Sequence, residues 1–193
     1  MSERLIYVVG PSGAGKDSLL NWLREQTPRS APVHWAKRTI NRLKTDKESS
    51  DLHEGVESDE FESLLAKGVF AMQWDANTHR YGIRQSELSL LNNLTHVIFV
   101  NGSRLYMPIA ASLYPGLTFL HIKAKPSVLR ERIHLRGRES VEEINARLNR
   151  QIELIVPNGC QLMEVHNDST LESAGQQLIA QLQTLKCWPF GFN

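Results

Sequence analysis

Cysteine is scarce in this chain. The two present, Cys160 and Cys187, lie far apart and in no CxxC or Cys/His pattern. That excludes a disulfide framework or a zinc ribbon and reads as two thiols in a reducing compartment. Aromatic residues make up only 7%. No apolar run approaches the ~20 residues that a membrane-spanning helix needs, and the opening MSERLIYVVG has too short an apolar stretch for a secretory signal. An excess of one charge is missing as well. With 22 basic against 21 acidic residues the formal net charge is +1, so non-specific attraction to nucleic acid or an anionic membrane is not expected. The seven histidines show no catalytic or metal-ligand spacing. These absences imply a cytoplasmic protein whose partners are small molecules, with neither nucleic acid nor membrane among them; a homodimer is left open.

What is present suits a soluble domain. The 193 residues are 41% hydrophobic, enough for one core with a lid attached. LIYVV (5–9) is a β-rich apolar run ending in glycine, as a buried parallel strand does. SLLNWLREQ (18–26) has helical spacing and is stopped by Thr27-Pro28. VHWAK (33–37) reads as a second strand, and the polar stretch 38–59 as loop or edge structure reaching into solvent. Ser58 to Phe61 reads as a capped helix start, with Gly68 as C-cap. VFAMQWDA (69–76) and RYGI (80–83) suggest a β ribbon. HVIFVNG (96–102) and LTFLHIKA (117–124) are strands, each followed by a helix. A charged helical stretch, interrupted near Gly137, then runs to Val156; LMEVHN (162–167) is a last strand and 169–185 a closing helix. Strands alternating with helices predict an α/β fold, a parallel sheet flanked by helices, in one unit over 1–193.

Gly10-Pro11-Ser12-Gly13-Ala14-Gly15-Lys16-Asp17-Ser18 has the spacing of a P-loop, and it lies between a strand and a helix, the context that motif requires. Its backbone N–H groups and the helix N-terminus suit phosphate oxygens, and Lys16 reaches the β- and γ-phosphates. That assigns Gly10 to Ser18 to ATP, with magnesium as the accompanying ion. The usual pattern has serine or threonine where Asp17 stands. Either Asp17 is a hard oxygen ligand for the metal, or Ser18 takes that role and Asp17 only complements the helix dipole. An aspartate so close to ATP needs a cation beside it.

Arginines cluster in two places. Arg132, Arg136 and Arg138, with Arg147 and Arg150 beyond, form a candidate lid over about 132–150. Guanidinium forks that close over phosphate exclude water and stabilise transferring charge. Arg132 and Arg136 are assigned to ATP, and Arg136 and Arg147, with Lys16, to catalysis. Lys37, Arg38 and Arg42 follow the second strand, and Arg80 and Arg84 flank Tyr81-Gly82; these suit an anionic acceptor bound within about 35–84.

The order P-loop, basic loop, Gly68-Val69-Phe70, Tyr81-Gly82 and arginine lid resembles the guanylate kinase family over nearly the whole chain. The resemblance implies a P-loop kinase in which Arg42 and Tyr81, with Arg38, hold the acceptor's phosphate. Two departures redirect it. Met72 aligns with the glutamate that reads guanine in that family, and a thioether cannot accept guanine's donors. Taken as a pocket residue, Met72 replaced by glutamate is expected to fold normally and to admit GMP. The strand ending IFVNGSR carries Asn101, Ser103 and Arg104 where guanylate kinases carry an aspartate motif, which adds Arg104 to the acceptor site. GPSGAGKDS, RYGI and VNGSR together resemble the ribose 1,5-bisphosphate phosphokinases. That resemblance implies ATP-dependent conversion of ribose 1,5-bisphosphate to 5-phosphoribosyl 1-diphosphate during phosphonate breakdown. The alternatives are phosphorylation of GMP and a non-catalytic guanylate-kinase-like module.

Overall fold

The computed structural model describes residues 2–43, 52–76, 78–135 and 154–191. In chain order the elements are β1 (Leu5–Val9), α1 (Lys16–Gln26), β2 (Val33–Ala36), β3 (Arg38–Ile40), β4 (His53–Gly55), α2 (Ser58–Ala66), β5 (Phe70–Ala76), β6 (His79–Arg84), α3 (Gln85–Leu88), β7 (Val97–Asn101), α4 (Met107–Leu113), β8 (Thr118–Lys123), α5 (Pro126–Leu135), β9 (Gln161–His166) and α6 (Leu171–Gln183).

Five strands form a sheet in the order β2-β7-β1-β8-β9, every neighbouring pair parallel. The continuous apolar run of β1 is explained by its central place, where both faces are covered. Ile6 and Val8 pack with Leu19 and Leu23 of α1, Leu129 of α5, and Leu178 and Leu182 of α6. Leu5, Tyr7 and Val9 face the other way, toward Met72, Ile83, Met107 and Ala110. A second sheet, ordered β4-β3-β6-β5, therefore covers this face together with α4. Among the described residues no helix is long and apolar enough to cross a membrane.

The polar stretch 38–59 differs from its expected course. β3 is an interior strand of the second sheet, parallel to the edge strand β4 and antiparallel to β6. Ile40, Leu52 and Val56 are buried, and this thin apolar content is enough because the strands borrow their cover from the main sheet. The start of α2 also differs: Glu57 is its N-cap and makes no side-chain capping bond, while Gly68 does end it with a φ of 65°. Of the charged helical stretch, α5 lies in the described part, and 154–156 is not helical. Leu154 and Val156 instead pack on the core ahead of Pro157.

Gly175, inside α6, lies where that helix crosses α1. A Cβ there would come 2.2 Å from Trp22 Cζ3, and the indole is pinned by a 3.0 Å hydrogen bond from Nε1 to Glu172. In an open helix, alanine would outperform glycine by ~1 kcal/mol. Here the sign reverses: Gly175→Ala should destabilise by about 1–3 kcal/mol through overpacking, read as a lowered denaturation midpoint at unchanged m-value.

Candidate active site

The site forms at the carboxyl ends of the parallel strands, where ligands of open α/β sheets bind. After β1 the chain wraps through Gly10–Gly15 into α1. Gly13 and Gly15 both have φ near 83°, a conformation glycine adopts without the Cβ clash other residues suffer. Lys16 Nζ donates to the carbonyls of Gly10 (2.9 Å) and Pro11 (3.2 Å), so the ammonium is held over the mouth of the loop. Asn167, just past β9 and 3% exposed, braces the loop from below, its Nδ2 donating to the Ala14 carbonyl at 2.8 Å. Arg132 of α5 donates to the Asn167 carbonyl at 2.9 Å. The structure thus brings Arg132 beside the P-loop through Asn167. Asn167 was missed in the sequence, and its only signal is a polar residue at the carboxyl end of a strand.

Asp17 stands in the first turn of α1. Its Oδ1 accepts from Arg38 Nη2 at 3.2 Å and from Asn101 Nδ2, so one carboxylate joins the P-loop helix to β3 and to the end of β7. The cation required beside it is Arg38, whose side chain is only 13% exposed. Ser18 points to solvent. The donor set fits a hard divalent cation: Asp17 supplies a carboxylate, and the buried Asn101 Oδ1 has no hydrogen-bond partner. No comparable observation attaches to Ser18.

The second sheet turns one face to this loop. Register places Arg38 opposite Ile83, Tyr81 opposite Ile40 and Trp74 opposite Tyr81, so Arg38, Tyr81 and Trp74 share that face. The Arg38 guanidinium lies 5.7 Å from the Tyr81 ring centroid. Trp74 stacks on Tyr81 at 5.8 Å and 8° and leans on Tyr106 at 5.6 Å. This aromatic wall was also missed in the sequence, because only strand register assembles it. Arg42 lies just beyond β3 and is partly buried.

Arg80 and Arg84 belong to the opposite side. Arg80 pairs with Glu62 and Asp75, and Arg84 with Glu54 at 2.7 Å. Both are engaged by carboxylates rather than offered to an acceptor. Met72 also departs from expectation. It is 1% exposed and belongs to the core under the second sheet, where it also lines a small cavity with Phe70, Gln73 and Tyr106. The cause is a bulge: Phe70 pairs with Arg84 but Met72 with Ile83, leaving Ala71 extra. Phe70 therefore turns to stack on Phe61 of α2, while Met72 turns inward. By register Met72 lies on the same face as Trp74 and Tyr81, deeper in the core.

Arg104 follows β7 on the turn Gly102-Ser103. Tyr7, fully buried, holds this turn by accepting from the Ser103 N–H at 3.0 Å, and burial pushes its phenol pKa up, so it stays a neutral hydroxyl. Arg104 is half-buried, and burial draws its pKa below the usual arginine value; among the described residues it makes no hydrogen bond or ion pair. Arg136, Arg138, Arg147 and Arg150, and with them most of the candidate lid, lie outside the described residues.

No protein-family model matches the chain. In fold it is similar to the guanylate kinase of Anaplasma phagocytophilum, with a TM-score of 0.57 at 16% identity over 97% of this chain and 90% of that one. This supports a guanylate-kinase-like P-loop fold. Sequence likeness is far closer to another group. The ribose 1,5-bisphosphate phosphokinase PhnN of Burkholderia pseudomallei is 41% identical over 184 residues, 95% of this chain and 97% of that protein. Its namesake in Thiobacillus denitrificans is also 41% identical, with 94% of each covered, and that of Azotobacter vinelandii is 37% identical, with 97% and 100% covered. Identity at this level over essentially the whole length places the chain in the ribose 1,5-bisphosphate phosphokinase family.

Proposed function

We propose that this kinase transfers the γ-phosphoryl group of ATP to the 1-phosphate of ribose 1,5-bisphosphate, releasing ADP and 5-phosphoribosyl 1-diphosphate, and that it works as one guanylate-kinase-like unit. The observation that carries this reading is the Arg38–Asp17 ion pair. It sets a guanidinium of the acceptor sheet directly against the P-loop helix, so donor and acceptor phosphates would meet there.

The acceptor oxygen is already ionised at neutral pH, since a phosphate monoester's second pKa is ~6, and no general base is needed. The chain's task is to align two highly anionic molecules and to offset their charge. Gly10 to Ser18 wrap the ATP phosphates, with Lys16 over the β- and γ-groups. Arg132 guards the loop's other flank from Asn167. Arg38, Arg42 and Tyr81 hold the 1-phosphate, and Arg104 is the cation for the sugar's second phosphate. The Trp74–Tyr81 stack offers a flat apolar wall for the sugar. Arg136 and Arg147 are assigned to the transferring group by the sequence alone. Asp17 would hold magnesium together with ATP, and the ion would offset the charge of the phosphates.

Phosphorus NMR tests this with purified protein and magnesium-ATP, given ribose 1,5-bisphosphate in one tube and GMP in another. The expected result is a new diphosphate pair and ADP in the first tube alone. GDP in the second tube alone would overturn the acceptor assignment and leave the fold intact.

A further inference from the structure

Two departures from the general P-loop arrangement lie far apart in the sequence and touch in the structure. P-loop enzymes commonly hold their metal with a hydroxyl after the loop lysine and an aspartate from a neighbouring strand. Here the residue after Lys16 is Asp17, and β7, the strand paired directly with β1, ends in Asn101. Asn101 Nδ2 donates to Asp17 Oδ1. The carboxylate has moved from strand to helix, and a neutral side chain has taken its place.

The geometry around Asn101 says more. The side chain is 3% exposed, yet its Oδ1 has no hydrogen-bond partner. Leaving a buried acceptor unsatisfied costs about 1–3 kcal/mol, so such an atom calls for an explanation. Its orientation is not free, because the amide must turn its N–H₂ to the Asp17 carboxylate and its oxygen elsewhere. The amide thereby meets the carboxylate through its nitrogen and leaves its own oxygen unsatisfied where the loop meets the neighbouring strand. Arg38, held on the same carboxylate at 3.2 Å, balances its charge.

We infer that Asp17 and Asn101 form a single exchanged pair for the divalent ion: Asp17 is the charged ligand, and Asn101 is its positioning residue, with Oδ1 as the second oxygen of the site. The pair holds one negative charge in total, so the property the site needs is that charge and not the element that bears it. This rests on the magnesium-ATP reading above and adds to it a residue, Asn101, and a rule for which substitutions the site accepts.

The test compares full-length wild type with Asp17→Asn and with the reciprocal swap Asp17→Asn/Asn101→Asp. The swap keeps both side-chain volumes and reverses one hydrogen bond. Mn2+ binding in the presence of ADP is read from the free Mn2+ electron-spin signal, alongside a thermal melt. Asp17→Asn should weaken Mn2+ binding by about 10–100-fold, the range seen when partners of a metal site are changed, and the swap should recover most of that loss. Asp17→Ser/Asn101→Asp, which restores the commoner arrangement, should recover it too and serves if the first swap folds poorly. A swap that melts cooperatively yet binds Mn2+ no better than Asp17→Asn would overturn the inference alone. So would an Asp17→Asn variant that loses melting temperature with Mn2+ affinity unchanged, since the contact would then be purely structural. Wild type that binds no Mn2+ with ADP would overturn the magnesium-ATP reading itself.

Discussion

Lys16→Ala should reduce kcat by about 10²–10³-fold, the scale set by removing one preorganised donor from developing charge, while the protein stays folded. Lys16 Nζ is held by the carbonyls of Gly10 and Pro11, both parts of the loop and outside the apolar core. Losing those two bonds costs on the order of 1 kcal/mol each, a small share of the roughly 5–15 kcal/mol that keeps a domain folded. The loss should fall mainly on kcat, because the lysine's interaction with the γ-phosphoryl oxygens strengthens as the group transfers. Steady-state kinetics with a parallel melt separates the two effects. A variant that turns over normally would remove the P-loop from the mechanism.

Met72→Glu has the largest expected effect on stability. Met72 is 1% exposed and packs with Tyr7, Ile83, Tyr106 and Met107. A carboxylate there loses its hydration and gains no cation. Leaving one buried charge uncompensated costs about 3–5 kcal/mol, and the group would answer by raising its pKa and taking up a proton. Met72→Leu, close in volume, should cost less than about 1.5 kcal/mol. Denaturant melts of both variants decide the matter. Should Met72→Glu melt like wild type, the inward turn of β5 after its bulge would be wrong. A buried, protonated glutamate offers no carboxylate to guanine, so the variant should gain no activity on GMP.

These two residues show what local pattern conveys and where it stops. Lys16 was legible because the P-loop is a short continuous segment: glycine spacing, the preceding apolar strand and the following helix all fall within one stretch of chain. Tyr81 and Arg38 were legible as candidates for the same reason, through a basic residue after a strand and a Tyr-Gly pair in a ribbon. Arg80 and Arg84 looked equivalent to them on composition alone. Their carboxylate partners, Glu62 and Glu54, come from α2 and β4, and nothing in the local sequence announces that pairing. Alignment on Phe70 and Tyr81-Gly82 makes Met72 a pocket residue, and nothing in that short run announces the bulge at Ala71 that turns it into the core.

By itself, the sequence determined the parallel α/β architecture, the glycine loop with its lysine between strand and helix, and a basic stretch set apart from that loop. Each is written in a run of neighbouring residues whose period, breakers or spacing survive without knowledge of the rest. Only the tertiary structure decided what Asp17 does. Its partners are 21 and 84 residues away, on two strands of different sheets, and a hydrogen bond depends on where side chains arrive rather than on their order along the chain. The same holds for Asn167 under the loop, for the aromatic wall of Trp74, Tyr81 and Tyr106, and for the burial of Met72: each follows from strand register and sheet packing, which long-range contacts establish.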